Sequence, residues 1–204
     1  MNFLAHLYLA DDTPESMIGN LLPDFVRGRL LAAYEPAVQE GIRRHRQVDA
    51  FTDAHPVFLR SRQRVFPHFG RYAGILVDIF YDHVLAAEWS RYCAEPQEQF
   101  SAKCYQLIAS RPDLIVGPAE QPLRSLLEHD WLRSYRSPAG IRFALDRLSE
   151  RLSRRFRREV VLGPAAELLA AEYAEFAVDF DRFFPELIRH AGGPYRRPSA
   201  GVSS

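Results

Sequence analysis

Apolar residues along this chain recur mostly at spacings of three and four positions, which is the spacing of one buried face of an α-helix. Runs that alternate apolar and polar residues between tight turns, as half-buried strands do, are scarce. The pattern therefore predicts an all-α protein that folds as a single compact multi-helix domain. We expect helices at about residues 2–9, 15–33, 36–53, 56–66, 71–94, 97–110, 119–133, 138–158 and 163–189.

Prolines divide these helical segments, and Pro23 has the clearest consequence. A proline inside a helix removes a backbone hydrogen bond and clashes with the preceding turn, so the segment around Pro23 should break or bend. Asp24 would then lie at a helix end, where its side chain can point inward. Residues 192–204 are rich in Gly, Pro, Arg and Ser and carry little apolar surface. We expect a helical domain over residues 1–191 and a disordered tail over 192–204.

Two carboxylates interrupt the most apolar helical segment of the chain. Asp78 and Asp82 are four residues apart, and His83 follows at once, inside the run ILVDIFYDHVL at residues 75–85. This run is too apolar for a freely solvated helix surface. Because burying a carboxylate costs several kcal/mol, roughly, unless it is paired or binds a metal, these residues need a partner. A divalent cation is one such partner.

A second set of polar residues follows the same helical spacing. His45, Asp49 and Asp53 are each four residues apart, and four residues advance 400° on an α-helix. All three side chains therefore lie within about 80° of arc on one face. Imidazole and carboxylate ligands without cysteine suit Mn²⁺, Fe²⁺, Mg²⁺ or Zn²⁺ in a catalytic site. Such an ion lowers the pKa of bound water and neutralises charge on a phosphoryl oxygen, so phosphorus chemistry fits the pattern.

Each candidate also has an ordinary structural explanation, which the sequence leaves open. His6, in an apolar N-terminal helix, could be a hydrogen-bonded core histidine. Asp24 could cap a helix, and His45 lies in a basic run that could simply be solvated. Asp53 and His55 could do no more than end one helix and begin the next.

The overall charge of the chain excludes a strong general attraction to polyanions. The 204 residues contain 26 basic and 26 acidic side chains, so the formal net charge is zero. Neither this balance nor a recognisable motif indicates nucleic-acid binding. No uncharged stretch approaches the roughly 20 residues of a membrane span. The first ten residues resemble a signal peptide poorly, and two cysteines are too few for a disulfide framework, so we expect a cytoplasmic protein.

Charge is nevertheless uneven along the chain. Between residues 141 and 159 seven arginines accompany three acids. The segment is either a solvated helix face or a patch that attracts an acidic protein. The seven are Arg142, Arg147, Arg151, Arg154, Arg155, Arg157 and Arg158.

Taken together, four segments resemble the acyl carrier protein phosphodiesterases, also called acyl carrier protein hydrolases. The similarity extends from Met1 to about His190. It implies hydrolysis of the phosphodiester between 4′-phosphopantetheine and a serine of acyl carrier protein, a small acidic protein. The segments are MNFLAHLYLA at 1–10, GNLLPDF at 19–25, GIRRHRQVDAFTD at 41–53 and DIFYDHVLAAEW at 78–89.

The resemblance also implies a divalent metal, typically Mn²⁺, with Mg²⁺ or Fe²⁺ as alternatives. The family is a divergent relative of the HD-domain phosphohydrolases, helical enzymes that bind their metal through histidines and aspartates, so an HD-like fold is implied. This chain has no adjacent His-Asp pair, and Asp82 and His83 stand in the reverse order.

Carried onto this chain, the resemblance implies a role for each motif residue. The metal ligands would be Asp24, His45, Asp82 and His83, with Asp78 beside them. His6 or Asp49 would be the general acid or base. The substrate would be bound by Arg27, Arg43, Arg44, Arg46 and Asn20.

Two other functions remain open from the sequence. One is an HD-like phosphohydrolase for nucleotides or other small phosphoesters, which would need no protein partner. The other is a non-catalytic helical adaptor for acidic proteins, which would leave the acids within 75–85 unexplained. The sequence does not indicate an oligomeric state.

Overall fold

The structure, a computed structural model, describes residues 1–192, and every regular element in that range is helical, as predicted. The α-helices are α1 Phe3–Leu9, α2 Pro14–Leu21, α3 Arg29–Ala32, α4 Pro36–Ala54, α5 Pro56–Phe69, α6 Ala73–Ala87, α7 Gln97–Ala109, α8 Glu120–Glu128, α9 Trp131–Ser134, α10 Pro138–Phe156, α11 Ala165–Ala171 and α12 Tyr173–Ala191. Short 3₁₀ turns occupy Leu22–Asp24, Gly70–Tyr72, Trp89–Arg91, Pro112–Leu114 and Gly117–Ala119. The tail predicted for 192–204 lies outside the described residues, except for Gly192.

The helices begin where local chemistry favours a start. Pro14, Pro36, Pro56 and Pro138 each occupy the first position of a helix, where the missing N–H has no intrahelical partner to lose. The side chain of Thr13 accepts a hydrogen bond from the backbone N–H of Ser16 at 3.2 Å, which caps α2. These signals are local, so the predicted starts of α4, α5 and α10 are confirmed.

Four predicted helical segments are not continuous in the structure: the break in 15–33 follows Pro23, as predicted, whereas those in 71–94, 119–133 and 163–189 were not predicted, and 71–94 ends at Ala87, before the 3₁₀ turn Trp89–Arg91. The segment 15–33 stops at Leu21, because Pro23 leads into a 3₁₀ turn and Gly28 then takes a positive φ of 64°. The segment 119–133 divides at Asp130, whose φ is 47°. The segment 163–189 divides between α11 and α12 at Glu172. In the opposite sense, α5 continues to Phe69 with Pro67 inside it.

Aromatic rings from α5, α6 and α12 fill much of the core. The ring of Tyr81 lies 5.9 Å from that of Phe58 and 5.4 Å from that of Phe183, measured between centroids. Phe180 and Phe184 stack one turn apart on α12, with centroids 4.7 Å apart. All five side chains are fully buried, so this cluster contributes strongly to the hydrophobic stabilisation of the domain.

Helix α1 lies inside the domain. All seven of its residues are buried, and it packs against α2 and α6. Such a short helix has little stability of its own and depends on its tertiary contacts. No helix formed by residues 1–192 combines the length and apolar character needed to cross a membrane.

Two glycines allow α2 and α4 to cross at close range. A Cβ atom on Gly41 would lie 2.8 Å from the carbonyl oxygen of Ser16 and 2.9 Å from the Cα of Gly19. A Cβ atom added to Gly19 would lie only 2.4 Å from the carbonyl oxygen of Val38. Larger side chains would push the helices apart, so these glycines set the distance between α2 and the polar face of α4.

Candidate metal centre

Three side chains from α1 and α4 converge on one point. The Nε2 atom of His6 lies 3.2 Å from Oδ1 of Asp49, and Nε2 of His45 lies 3.0 Å from Oδ2 of the same carboxylate. One potential ligand atom from each residue falls within 4.8 Å of the others. Within residues 1–192 this is the one group of three or more His, Cys, Asp or Glu side chains with such geometry.

Helix α4 and its neighbour α2 orient His45. His45 and Asp49 are one turn apart on the same face of α4, as their spacing predicts. The other ring nitrogen, Nδ1, lies 2.7 Å from the backbone carbonyl oxygen of Asn20 on α2. Because a carbonyl oxygen only accepts, Nδ1 carries the proton and donates it. In the neutral ring the lone pair of Nε2 then faces the cluster, which is the usual arrangement behind a histidine that binds metal.

His6 is a fully buried imidazole with unused hydrogen-bonding capacity. Neither of its ring nitrogens makes a well-directed hydrogen bond within the described residues, although Nε2 is near Asp49. Burial lowers the pKa of His6 to about 3, and the neighbouring charge of His45 acts in the same direction. The ring is therefore neutral near pH 7, in the form that binds a metal ion.

Asp49 keeps its negative charge over the physiological pH range. Burial by itself would raise the pKa of this carboxyl, but the close contacts with the imidazoles of His45 and His6 outweigh that effect and hold the pKa well below its usual range. Burial likewise acts to lower the pKa of His45, whereas Asp49 and the charge of Asp24 raise it above its ordinary value. Two imidazole nitrogens and a carboxylate, with the unsatisfied nitrogens of His6, are a donor set that fits a divalent ion.

Asp24 lies at a helix end beside this group, in the 3₁₀ turn after α2, as the position of Pro23 predicts. The residue is exposed at the surface, although neighbouring protein atoms bury part of its carboxyl group. This burial raises the pKa of the carboxyl to about 6, and the charge of His45 opposes the increase. The charge of Arg151 on α10 opposes it as well.

Asp78 is connected to Asp49 by the positively charged amino group of Met1. The amino group of Met1 lies 3.0 Å from Oδ1 of Asp78 and 3.3 Å from Oδ1 of Asp49. Burial acts to lower the pKa of this amino group, but the charges of Asp78 and Asp49 together have the larger effect. The pKa is therefore raised above its ordinary value, to about 11. Burial raises the pKa of the Asp78 carboxyl, and the amino group opposes that change.

Asp82 and His83 have partners other than the His6 group. The carboxylate of Asp82 is completely buried and accepts hydrogen bonds from the backbone N–H groups of Leu4 at 2.7 Å and Ala5 at 3.2 Å. Nδ1 of His83 lies 2.6 Å from the backbone carbonyl oxygen of Tyr135. Burial raises the pKa of Asp82 to about 7 and lowers that of His83. The structure does not bring either residue into the three-residue group, and their role as ligands stays a prediction.

The residues expected to bind substrate are distributed around the site. Arg44 is half-buried and binds the backbone carbonyl oxygen of Leu9 and the carboxylate of Asp11, whereas the exposed Arg43 pairs with Glu40. These contacts direct the guanidinium group of Arg44 to the end of α1 and the loop after it, and that of Arg43 to a neighbour on α4. The side chains of Arg27 and Arg46 are exposed. Their proposed contact with a phosphate stays a prediction.

Asn20 holds the ring of His45 in place through its backbone carbonyl group. Its side chain is fully buried and donates from Nδ2 to the backbone carbonyl oxygen of Ser16 at 2.9 Å, while its own backbone carbonyl binds His45. The side-chain oxygen Oδ1 has no hydrogen-bond partner among the described residues. The contact to His45 is a supporting role that the sequence pattern did not predict.

Aromatic residues near the site were not singled out from the sequence. The ring of Phe3 lies 5.6 Å from that of Phe25 and 5.7 Å from that of Trp131, between centroids. Tyr135 accepts a hydrogen bond from the side chain of Asn2 at 2.8 Å. Phe3 and Phe25 belong to the motifs quoted above, but Trp131 and Tyr135 come from the second half of the chain, where no nearby motif marks them.

Comparisons with known proteins agree on one family. Residues 1–187 match the model of the family described as acyl carrier protein phosphodiesterase. Proteins of that name from Photorhabdus laumondii subsp. laumondii and Pectobacterium atrosepticum are each 34% identical over 194 residues, covering 94% of this chain and 95% and 97% of the relatives. One from Escherichia coli O157:H7 is 34% identical over 196 residues, covering 94% of this chain and 97% of its own. No solved structure matches the chain. Because the family model matches residues 1–187, this chain belongs to the acyl carrier protein phosphodiesterases and is a hydrolase.

Proposed function

We propose that this enzyme hydrolyses the phosphodiester between 4′-phosphopantetheine and a serine of acyl carrier protein, releasing the apo-protein and free 4′-phosphopantetheine. Membership of the family supports the choice of substrate. The observation that carries the proposed chemistry is the buried group in which His6 and His45 both face Asp49. A cytoplasmic location also remains a proposal, and it rests on the low cysteine content.

We assign His6, His45 and Asp49 as the residues that hold a divalent ion. A mixture of two imidazoles and a carboxylate without thiolates suits Mn²⁺, with Fe²⁺ or Mg²⁺ as alternatives. When bound, such an ion supplies a Lewis acid for a phosphoryl oxygen and lowers the pKa of water. His6 and Asp49, proposed from the resemblance as acid and base, take a ligand role here, because their atoms lie within 4.8 Å of a ligand atom of His45.

Asp24 is our candidate for proton transfer. A carboxyl with a pKa near 6 is close to the value that suits a general acid or base at neutral pH. In the reaction, the oxygen of water attacks phosphorus and the bond from phosphorus to the serine Oγ breaks. Asp24 accepts one proton from the attacking water and passes it to the leaving serine oxygen, which regenerates the hydroxyl of the apo-protein, while the other proton of the water stays with the phosphate of 4′-phosphopantetheine.

The direct test uses purified protein, holo-acyl carrier protein and Mn²⁺, with a mass spectrum of the carrier protein as the readout. We expect conversion to a species lighter by one 4′-phosphopantetheine group, loss of this conversion in excess chelator, and recovery when Mn²⁺ is restored. His45→Ala should be inactive. His129→Ala is the matched control, because His129 is exposed and its Nδ1 contacts only its own helix, at Ser125.

Two results would contradict the proposal. Holo-carrier protein that stays intact with the metal-loaded wild-type enzyme would exclude the substrate, and hydrolysis of nucleotides in the same preparation would favour a small-molecule phosphohydrolase. Undiminished turnover after complete metal removal, confirmed by elemental analysis, would exclude the metal.

A further inference from the structure

Arg147 and Arg151 are exposed on helix α10 and, like Arg155, Arg157 and Arg158, form no ion pair with an acid within the described residues. Arg147 and Arg151 are one turn apart, so their side chains leave the helix on the same face, about 6 Å from each other at Cβ. Within the described part of the chain neither forms an ion pair. By contrast, Arg142 pairs with Asp146 and Arg154 pairs with Glu150 on the same helix. The seven arginines of this segment therefore differ in how much of their charge is available to a partner.

Among the arginines without an ion pair, Arg147 is linked to the candidate site by a series of ring contacts. The guanidinium carbon of Arg147 lies 5.0 Å from the centroid of the Trp131 ring, which in turn packs against Phe3 of α1. Phe3 is one helical turn before His6. Arg151 lies one turn further along the same face of α10 as Arg147. A partner held by this face of α10 would thus lie next to the metal centre.

We propose that Arg147 and Arg151 form a docking edge for an acidic helix of the carrier protein, which positions the phosphodiester at the metal centre. This inference rests on the proposed function, because that function supplies the partner. Two guanidinium groups one turn apart match carboxylates that are spaced one turn apart on a facing helix. Arginine suits this role because its planar fork binds carboxylates bidentately.

The stacking of Arg147 on Trp131 adds a reason for specificity. Cation–π contact holds an otherwise flexible guanidinium in one place, so less side-chain entropy is lost when a carboxylate binds. An arginine that only coats a solvated helix would not need this support. The docking edge therefore combines a charge held in place at Arg147 with a second charge one turn away at Arg151.

The test compares two double charge reversals with the same change in net charge. One is Arg147→Glu with Arg151→Glu. The control is Arg62→Glu with Arg182→Glu, two exposed arginines on α5 and α12 for which the described structure shows no ion pair. For each variant we measure kcat and KM for holo-carrier protein at several salt concentrations, and the affinity for apo-carrier protein, which lacks the scissile bond. Circular dichroism checks the fold.

We expect the α10 variant to lose about tenfold or more in kcat/KM at low salt, with most of the loss in KM. Its salt dependence should flatten, because the attraction that salt screens has been removed. Affinity for apo-carrier protein should fall in parallel, and the α5 and α12 control should match wild type in every measurement.

Wild-type values of kcat/KM, salt dependence and apo-carrier affinity in the α10 variant would overturn the docking edge. If the α10 variant lost as much affinity for a short oligonucleotide as for apo-carrier protein, relative to wild type, the docking edge would also be overturned. The surface would then be a general anion-binding face. Failure of the proposed function has a different signature, namely intact holo-carrier protein with wild type, control and α10 variant alike. That result removes the partner and overturns this inference as well.

Discussion

The imidazole rings of His6 and His45 lie face to face, with centroids 4.0 Å apart and planes inclined by 13°. They come from α1 and α4, and both direct Nε2 toward Asp49. Two protonated rings this close would repel each other, and burial lowers the pKa of His6 to about 3. Near neutral pH the pair therefore carries at most one proton beyond those of two neutral rings, and so at most one positive charge. A divalent ion at Nε2 would take the place of that proton.

Alanine at either ring should remove the metal. We expect His6→Ala and His45→Ala to weaken Mn²⁺ binding by at least about 100-fold, since even outer partners of a metal ligand are worth 10- to 100-fold. Elemental analysis after dialysis measures the metal content, and His129→Ala should keep the wild-type content. Full metal content in both single variants would mean that the ion binds elsewhere.

A substitution can distinguish whether Asp24 transfers a proton or binds the metal ion. Asp24→Asn keeps the shape of the side chain but cannot accept a proton from water. We expect kcat to fall by about 100-fold or more, while the bound Mn²⁺ stays near the wild-type amount. Metal titration and steady-state kinetics are needed on the same preparation. If the variant loses its metal along with its activity, Asp24 belongs to the metal shell, as the resemblance implies.

Asp82 should contribute mainly to stability. Asp82→Ala leaves the backbone N–H groups of Leu4 and Ala5 without their buried acceptor, which costs about 1–3 kcal/mol in the free energy of unfolding. Because those groups start α1, we also expect His6 to lose its position. Urea unfolding measures the effect, and alanine at the exposed Asp53 is the control. An Asp82→Ala protein with wild-type stability but no metal would instead identify Asp82 as a ligand.

The crossing of α2 and α4 should be intolerant of a single methyl group. Gly41→Ala places a Cβ 2.8 Å from the carbonyl oxygen of Ser16, and such overpacking costs about 1–3 kcal/mol. Gly74→Ala is the matched control, since Gly74 is also helical and its Cβ would meet nothing within 4 Å. That change should stabilise the protein by up to about 1 kcal/mol. Similar melting temperatures for the two variants would show that α2 and α4 can separate at no cost.

A buried carboxylate far from α1 should make stability depend on pH. Asp179 binds Ser61 at 2.7 Å, Arg64 at 3.1 Å and Arg60. Burial would raise its pKa, but these partners hold it below the ordinary value of 3.8. The folded pKa is the lower one, so its stabilisation is present above pH 4 or so and is lost as pH falls through the folded pKa.

We therefore expect Asp179→Asn to be less stable than wild type at pH 7 by about 3 kcal/mol, with a difference that shrinks in acid. Denaturant unfolding at a series of pH values measures this convergence. Asp146→Asn is the control, because Asp146 and its partner Arg142 are both exposed and such pairs contribute less than about 1 kcal/mol. A constant difference at all pH values would assign the effect of Asp179→Asn to packing instead.

Local features of this chain were readable from the sequence. Helical periodicity predicts an all-α fold, Pro23 predicts the helix end at Asp24, and the four-residue spacing predicts that His45 and Asp49 share a face. Each of these depends on residues that are close in sequence, where backbone geometry alone relates their positions. The motifs also predicted the family, which the comparisons confirm.

The tertiary structure decided which residues, distant in sequence, contact the side chains of Asp82 and His6. The sequence indicated that a buried Asp82 carboxylate needs a partner. Whether that partner is an ion or the N–H groups of Leu4 and Ala5 depends on how α6 packs against α1. In the same way His6 joins Asp49 only because α1 is buried beside α4. Periodicity tells which face of a helix is buried or polar, whereas the partner across the interface follows from how side chains of separate helices pack together, and that information is not local to any one segment.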